Sequence, residues 1–167
     1  MRVLVVADGR SPIARRWLGG LSALRHEVIL ISSFPCDPIP NVAQMVIMPL
    51  AFGSMAGSQA GGRSGAVQQR ARRLVGGSRG TLMRLRYWLG PFSLTLRRGA
   101  FRSLVRRLEP DLVHALRVPF EGMLAAYTPD RFPLIISTWG NDLTLHAAGS
   151  DGMRRATRRA LDRCDGL

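Results

Sequence analysis

The stretch Pro133-Leu134-Ile135-Ile136-Ser137-Thr138-Trp139-Gly140-Asn141-Asp142 changes character halfway along. Its first half, Leu134 to Ser137, reads as a short strand with apolar side chains for both faces, as a strand buried in a parallel sheet requires. Its second half supplies Trp, Gly, Asn and Asp in succession, a composition with no duty in a core. In open α/β sheets, ligands bind in the crevice beyond the carboxyl ends of the strands. The segment therefore points to an α/β fold and to a place for a site.

Working outward, the same fold is written along the rest of the chain. Arg2 to Ala7 reads as a first buried strand, followed by the turn Asp8-Gly9-Arg10. Ser11 can cap a helix with Pro12 at its first position. Ile13, Trp17, Leu18, Leu21 and Leu24 then recur at helical spacing. Gly19-Gly20 weaken that helix by about 1 kcal/mol each relative to Ala and would admit close approach to the sheet. Glu27 to Ser32 and Val42 to Met48 read as the second and third strands, and Asp111 to Ala115 as the fourth. A short helix is predicted over Glu121 to Tyr127. Ser150 opens a last helix with Met153, Ala156, Ala160, Leu161 and Cys164 inward and Arg154, Arg155, Arg158, Arg159 and Arg163 toward solvent. Asp165-Gly166-Leu167 read as the start of a sixth strand. The order predicts a single α/β domain, a Rossmann-like parallel sheet with helices on both faces and right-handed crossovers.

Charge sets the middle of the chain apart. The 167 residues carry a net charge of +13, and all 24 basic residues are Arg. The absence of Lys excludes a Walker-type phosphate loop and Schiff-base chemistry. Residues 49–65, rich in Gly, Ala and Ser, read as loop, and the region 49–90 as a mobile insertion. From Arg63 to Leu108 there is no acidic residue, and Arg alternates with Leu, Tyr, Trp and Phe. Two helices are predicted there, separated near Gly90-Pro91, the second burying Phe101, Leu104, Val105 and Leu108. Arg84, Arg86, Trp88, Arg97, Arg98 and Arg102 form a candidate surface for an anionic membrane. The competing reading is a solvated face in an arginine-biased protein. No nucleic-acid motif is present, so a nucleic-acid partner is not expected.

Cys36 and Cys164 have no metal or redox spacing and read as reduced thiols, with no metal expected. Val3 to Ala7 is too short for a secretory core, and prolines interrupt the uncharged residues 38–62. The expected location is cytoplasmic, with a peripheral position at the inner face of the membrane as an option.

Three constellations can carry chemistry. The turn Asp8 to Ser11, with Gly9, Arg10 and Ser11 as its candidate contacts, offers unpaired backbone N–H groups at a helix start, which suits phosphate, yet it is equally a plain strand-to-helix turn. His114, Arg117 and Glu121 follow the fourth strand. There His114 is the candidate for proton transfer, or else a histidine satisfied internally, and Arg117 and Glu121, four apart, can simply pair. Trp139, Gly140, Asn141 and Asp142 can present hydroxyl-binding groups beside an apolar face, or else cap a helix. His146 is a weaker candidate.

Taken in order, these pieces resemble the amino-terminal domain of family 4 glycosyltransferases, which have the two-domain GT-B fold. The matching residues are the first strand with Ser11-Pro12 and Arg15-Arg16-Trp17; His26-Glu27-Val28; Pro110-Asp111-Leu112-Val113-His114; Trp139-Gly140-Asn141-Asp142; and Arg159-Ala160-Leu161 with Cys164-Asp165. The resemblance implies the acceptor-binding half of a retaining, nucleotide-sugar-dependent enzyme, with a sugar or lipid-linked acceptor. A nucleotide sugar is expected only with a carboxyl-terminal donor domain, and the chain reads either as a truncated gene product or as one part of a split enzyme whose donor domain is a separate polypeptide. The glutamate pair that such a donor domain carries is absent, since the only glutamates are Glu27, Glu109 and Glu121. Arg25 stands where many relatives place a helix-ending Gly, so another turn is expected there. Leu116 stands where many have a second His, which puts paired-His chemistry in doubt. The resemblance implies no transferase activity for this chain alone.

Overall fold

The computed structural model describes residues 1–50 and 79–167, with side chains in the second stretch described from residue 85 onward. The Gly/Ala/Ser-rich loop and the first arginines of the insertion, including the side chain of Arg84, lie outside the described residues. Strands β1 (Arg2–Ala7) and β2 (Glu27–Ser32) have the predicted bounds. Strand β3 is shorter than expected, Gln44–Ile47, and β4 (Leu112–Ala115) and β5 (Leu134–Ile136) each lose a residue. The five strands are parallel in the order β3-β2-β1-β4-β5, a Rossmann-like sheet. Past them, Asp165 N–H donates to the Leu134 carbonyl and Ile136 N–H to that of Gly166, a parallel bridge where a sixth strand was predicted.

Period-two alternation divides the strand side chains between two cores. Val3, Val5, Val28 and Leu30 pack with Ala14 and Leu18 of helix α1 (Pro12–Ala23). Leu4, Val6, Ile29, Ile31, Val113 and Ile136 pack on the opposite face, against helix α2 (Arg79–Leu108), the short helix α3 (Met123–Ala125) and helix α4 (Asp151–Arg163). Helices therefore cover both faces.

α1 begins as read, with Ser11 accepting from Ala14 N–H and Pro12 at the first position. Its apolar side chains do not all turn inward: Ile13, Trp17 and Leu24 are exposed. A Cβ at Gly19 or Gly20 would meet nothing within 4 Å, so these glycines face outward and allow no close approach. Arg25 does not avoid the left-handed conformation of a helix end. It adopts it, at φ 60°.

The expected break at Gly90-Pro91 is absent. α2 is one helix of 30 residues with Pro91 inside it. A proline removes the N–H that would bind the carbonyl four residues back. That carbonyl, Tyr87 O, instead accepts from the Ser150 hydroxyl at 2.9 Å. Ser150 is also the N-cap of α4 and accepts from Met153 N–H at 3.1 Å. One hydroxyl thus relieves both helices and joins them.

The helix predicted over Glu121 to Tyr127 is shortened to Met123–Ala125, α3, and an irregular turn over Val118–Gly122 leads into it. Pro119 has no N–H to give, and Phe120 takes φ 64°. Arg163 does not face solvent as predicted. It folds inward, donates to the carbonyls of Thr128, Pro129 and Phe132, and pairs with Asp165.

Candidate functional site

The loops after β1, β2 and β4 meet at the point where the chain's connections diverge to opposite halves of the sheet, the place where open α/β sheets bind ligands. A cavity of about 160 Å³ lies there. The loop after β1 contributes Asp8 and Arg10, and that after β2 contributes Phe34. The turn after β4 contributes Arg117, Phe120 and Glu121; α2 contributes Arg86 and Tyr87, and the segment after β5 contributes His146.

Local structure aims these groups. Gly9 is buried, and a Cβ there would fall 2.5 Å from Cys36 Sγ, so only glycine lets the β1 loop lie against the β2 loop. Its N–H donates to Ser32 Oγ. Arg10 makes two contacts of 3.0 Å to the Asp8 carboxylate, and its guanidinium lies 3.7 Å from the centroid of Phe34. The left-handed Phe120 turns its ring against Gly90, where a Cβ would meet Phe120 at 2.4 Å. The Arg86 guanidinium lies 4.5 Å from that ring's centroid.

The expected Arg117–Glu121 pair does not form. Arg117 Nη2 instead donates to Asp142 Oδ1 at 2.9 Å. Asp142 is buried, and its other oxygen accepts from the N–H groups of Val118 and Trp139. Its carboxylate ties the loops after β4 and β5 together from behind the cavity. Glu121 accepts from the Ser33 hydroxyl, and burial raises its carboxyl above the usual carboxylate range. The Tyr87 hydroxyl meets His146 Nδ1 at 2.7 Å. Burial lowers the His146 imidazole, with the Arg117 charge adding to the effect, and raises the Tyr87 phenol.

Of the residues singled out from sequence, Asp8, Arg10, Arg117, Glu121 and the weaker candidate His146 line the cavity, and Asp142 supports it. Gly9 and Ser11 shape the adjoining turn. Trp139 partly covers the α1-side core, its ring 5.6 Å from the Arg117 guanidinium, while Gly140 and Asn141 are exposed beyond it. His114 does not line the cavity. It alternates with Val113 and Ala115 and so faces α1, where Nε2 meets Ser137 Oγ at 2.9 Å and the ring makes an edge contact with Trp17. Burial lowers its pKa. Phe34, Arg86 and Tyr87 were not anticipated as cavity residues. Arg86 leaves the predicted membrane surface because its side chain turns into the cleft; the small Gly90 one helical turn later was the available signal.

Of the other residues named for that surface, Trp88 stands on the outer side of α2. Leu85, Trp88, Phe92 and Leu96 fall on one side of the helix and are exposed, Trp88 by 74%. With 3.6 residues per turn, this row stands opposite the buried Tyr87, Leu94, Phe101 and Val105. Arg97 and Arg98 are exposed but stand nearer the edges of the buried stripe than this row, with Arg98 over the Tyr127 ring, and Arg102 is half-buried. Among the described residues, no helix is long and apolar enough to cross a membrane.

Fold and cavity together define a Rossmann-like α/β domain with an arginine-rich cleft at its topological switch point. No family model matches the chain, and neither does any curated protein or solved structure.

Proposed function

We propose that the chain is the acceptor-binding side of a two-domain, nucleotide-sugar-dependent glycosyltransferase, acting at the inner face of the membrane. The observation that carries this reading is the cleft itself. At a strand-end switch point it brings together donors on Arg10, Arg86 and Arg117, an acceptor-capable carboxyl on Glu121, and the His146 imidazole. Such a mixture suits a ligand rich in hydroxyl groups. The donor sugar and its nucleotide belong to the second domain in this reading. The purified chain, incubated with radiolabelled nucleotide sugars and membrane lipid extract, is expected to transfer no sugar. It is expected to bind an acceptor from that extract, and binding is expected to fall at least tenfold in Glu121→Gln/Arg117→Gln. Sugar transfer by the chain alone, or an acceptor bound equally by the double variant, would refute the proposal.

A second reading, a membrane-binding module without catalysis, is favoured by the outer row of α2. Burying a large apolar side chain contributes about 1.5–3 kcal/mol, and each arginine near an anionic surface about 1 kcal/mol. Flotation with phosphatidylglycerol vesicles is expected to carry the protein up, and Trp88→Ser/Phe92→Ser to reduce this at least tenfold. Equal flotation of that variant would remove the reading.

A further inference from the structure

Among the described residues, Arg86 is the one cation lining the cleft without an acceptor. Arg10 has the Asp8 carboxylate and Arg117 has that of Asp142. Arg86 stands between the rings of Phe34 and Phe120, and none of its donors meets a protein acceptor among the described residues. Its Nε is buried and unpartnered, as is the Nε of Arg117. A guanidinium stays charged, and a charge withdrawn from water needs a counter-charge or hydrogen bonds to offset the lost hydration. Neither ring supplies an oxygen.

We infer that the cleft holds a phosphate group of its ligand, with Arg86 as the principal contact and Arg10 and Arg117 at its sides. Three features select phosphate. The three guanidiniums come from three elements, the β1 loop, α2 and the β4 turn, and so approach from different directions. A phosphate presents several oxygens in a tetrahedral arrangement that such an approach can share, whereas a planar carboxylate is matched by one guanidinium fork. Two of the three guanidiniums are paired with carboxylates, and the third, Arg86, meets none among the described residues. The 160 Å³ of space would hold about five waters at roughly 30 Å³ each, enough for a phosphate and the first atoms of its ester. The inference rests on the cleft being the acceptor site, and it assigns a phosphorylated acceptor to it.

The test is a titration of the whole chain, labelled with ¹⁵N-arginine, against inorganic phosphate, glycerol 3-phosphate, glycerol and methyl glucoside at constant chloride. The Arg86 Nε–H resonance is expected to move saturably with both phosphates, at least tenfold more tightly than that of exposed Arg97, and to ignore glycerol. Arg86→Gln, checked for an unchanged melting temperature, is expected to weaken the shifts at Arg10 and Arg117 at least tenfold. Vesicles with a phosphomonoester headgroup separate a lipid from a soluble source: competition with free phosphate at Arg86 supports the inference for the lipid form. Shifts at Arg86 no tighter than at Arg97, or unaltered phosphate binding by folded Arg86→Gln, overturn it. Methyl glucoside shifting cleft resonances while phosphate does not would overturn the phosphate site and leave the acceptor reading standing.

Discussion

At the scale of single residues, the cleft is built by partner choices that sequence spacing does not announce. Arg117 had Glu121 four residues ahead, the usual helical pairing distance, and took Asp142 instead. The reason is backbone geometry: Pro119 and the left-handed Phe120 break the helix that would have set Arg117 beside Glu121. Glu121 is then left in a dry position against Ser33. Its folded-state pKa is raised, so the stability tied to its proton is fully present below the ordinary glutamate range and is lost as pH rises through the raised value. His114 and His146 act on the other side. Their pKa values are lowered, so stability falls as pH drops through the ordinary histidine range, where the unfolded chain takes up protons that the fold resists. Each unit of such displacement is worth about 1.4 kcal/mol. Glu121→Gln keeps an amide oxygen for the Ser33 hydroxyl and removes the titration. Its melting temperature relative to the parent is expected to rise between pH 5 and pH 8; a difference independent of pH would show that Glu121 is not held neutral.

At the scale of elements, legibility followed how local the cause was. β1, β2 and the caps at Ser11 and Ser150 were readable because their determinants lie within a few residues. The continuity of α2 was not, because the group that relieves Pro91 is Ser150, far along the chain. The direction of each arginine on α2 was equally hidden. Arg86 and Arg97 look alike in an acid-free run and, eleven residues apart, stand on nearly the same side of the helix; only their places along it set one at the cleft and leave the other exposed. The two caps provide an internal comparison. Ser11→Ala removes a cap alone, with an expected cost of about 1 kcal/mol, whereas Ser150→Ala removes a cap and the Tyr87 carbonyl's partner, about 2 kcal/mol in all. Chemical denaturation of both variants measures the difference. Equal costs would mean that the bond to Tyr87 contributes nothing to stability.

At the scale of the whole molecule, the net charge of +13 acquires a direction. The exposed apolar row of α2 marks one side of the domain, with exposed Arg97 and Arg98 on the same helix, and that helix also turns Arg86 and Tyr87 into the cleft. A surface that docked by this row would therefore lie one helix thickness from the ligand site. If charge helps to hold it there, vesicle binding should weaken several-fold between 50 and 300 mM salt while retaining a salt-resistant part from Trp88 and Phe92; complete insensitivity to salt would argue against the arginines. The edge contact between Trp17 and His114 has a separate use. Imidazolium quenches indole emission more strongly than neutral imidazole, so the brightness of Trp17 becomes an optical gauge of the proton on His114. With Trp88 and Trp139 replaced by Phe, it can be read without labels from the α1 face of the sheet, away from the cleft.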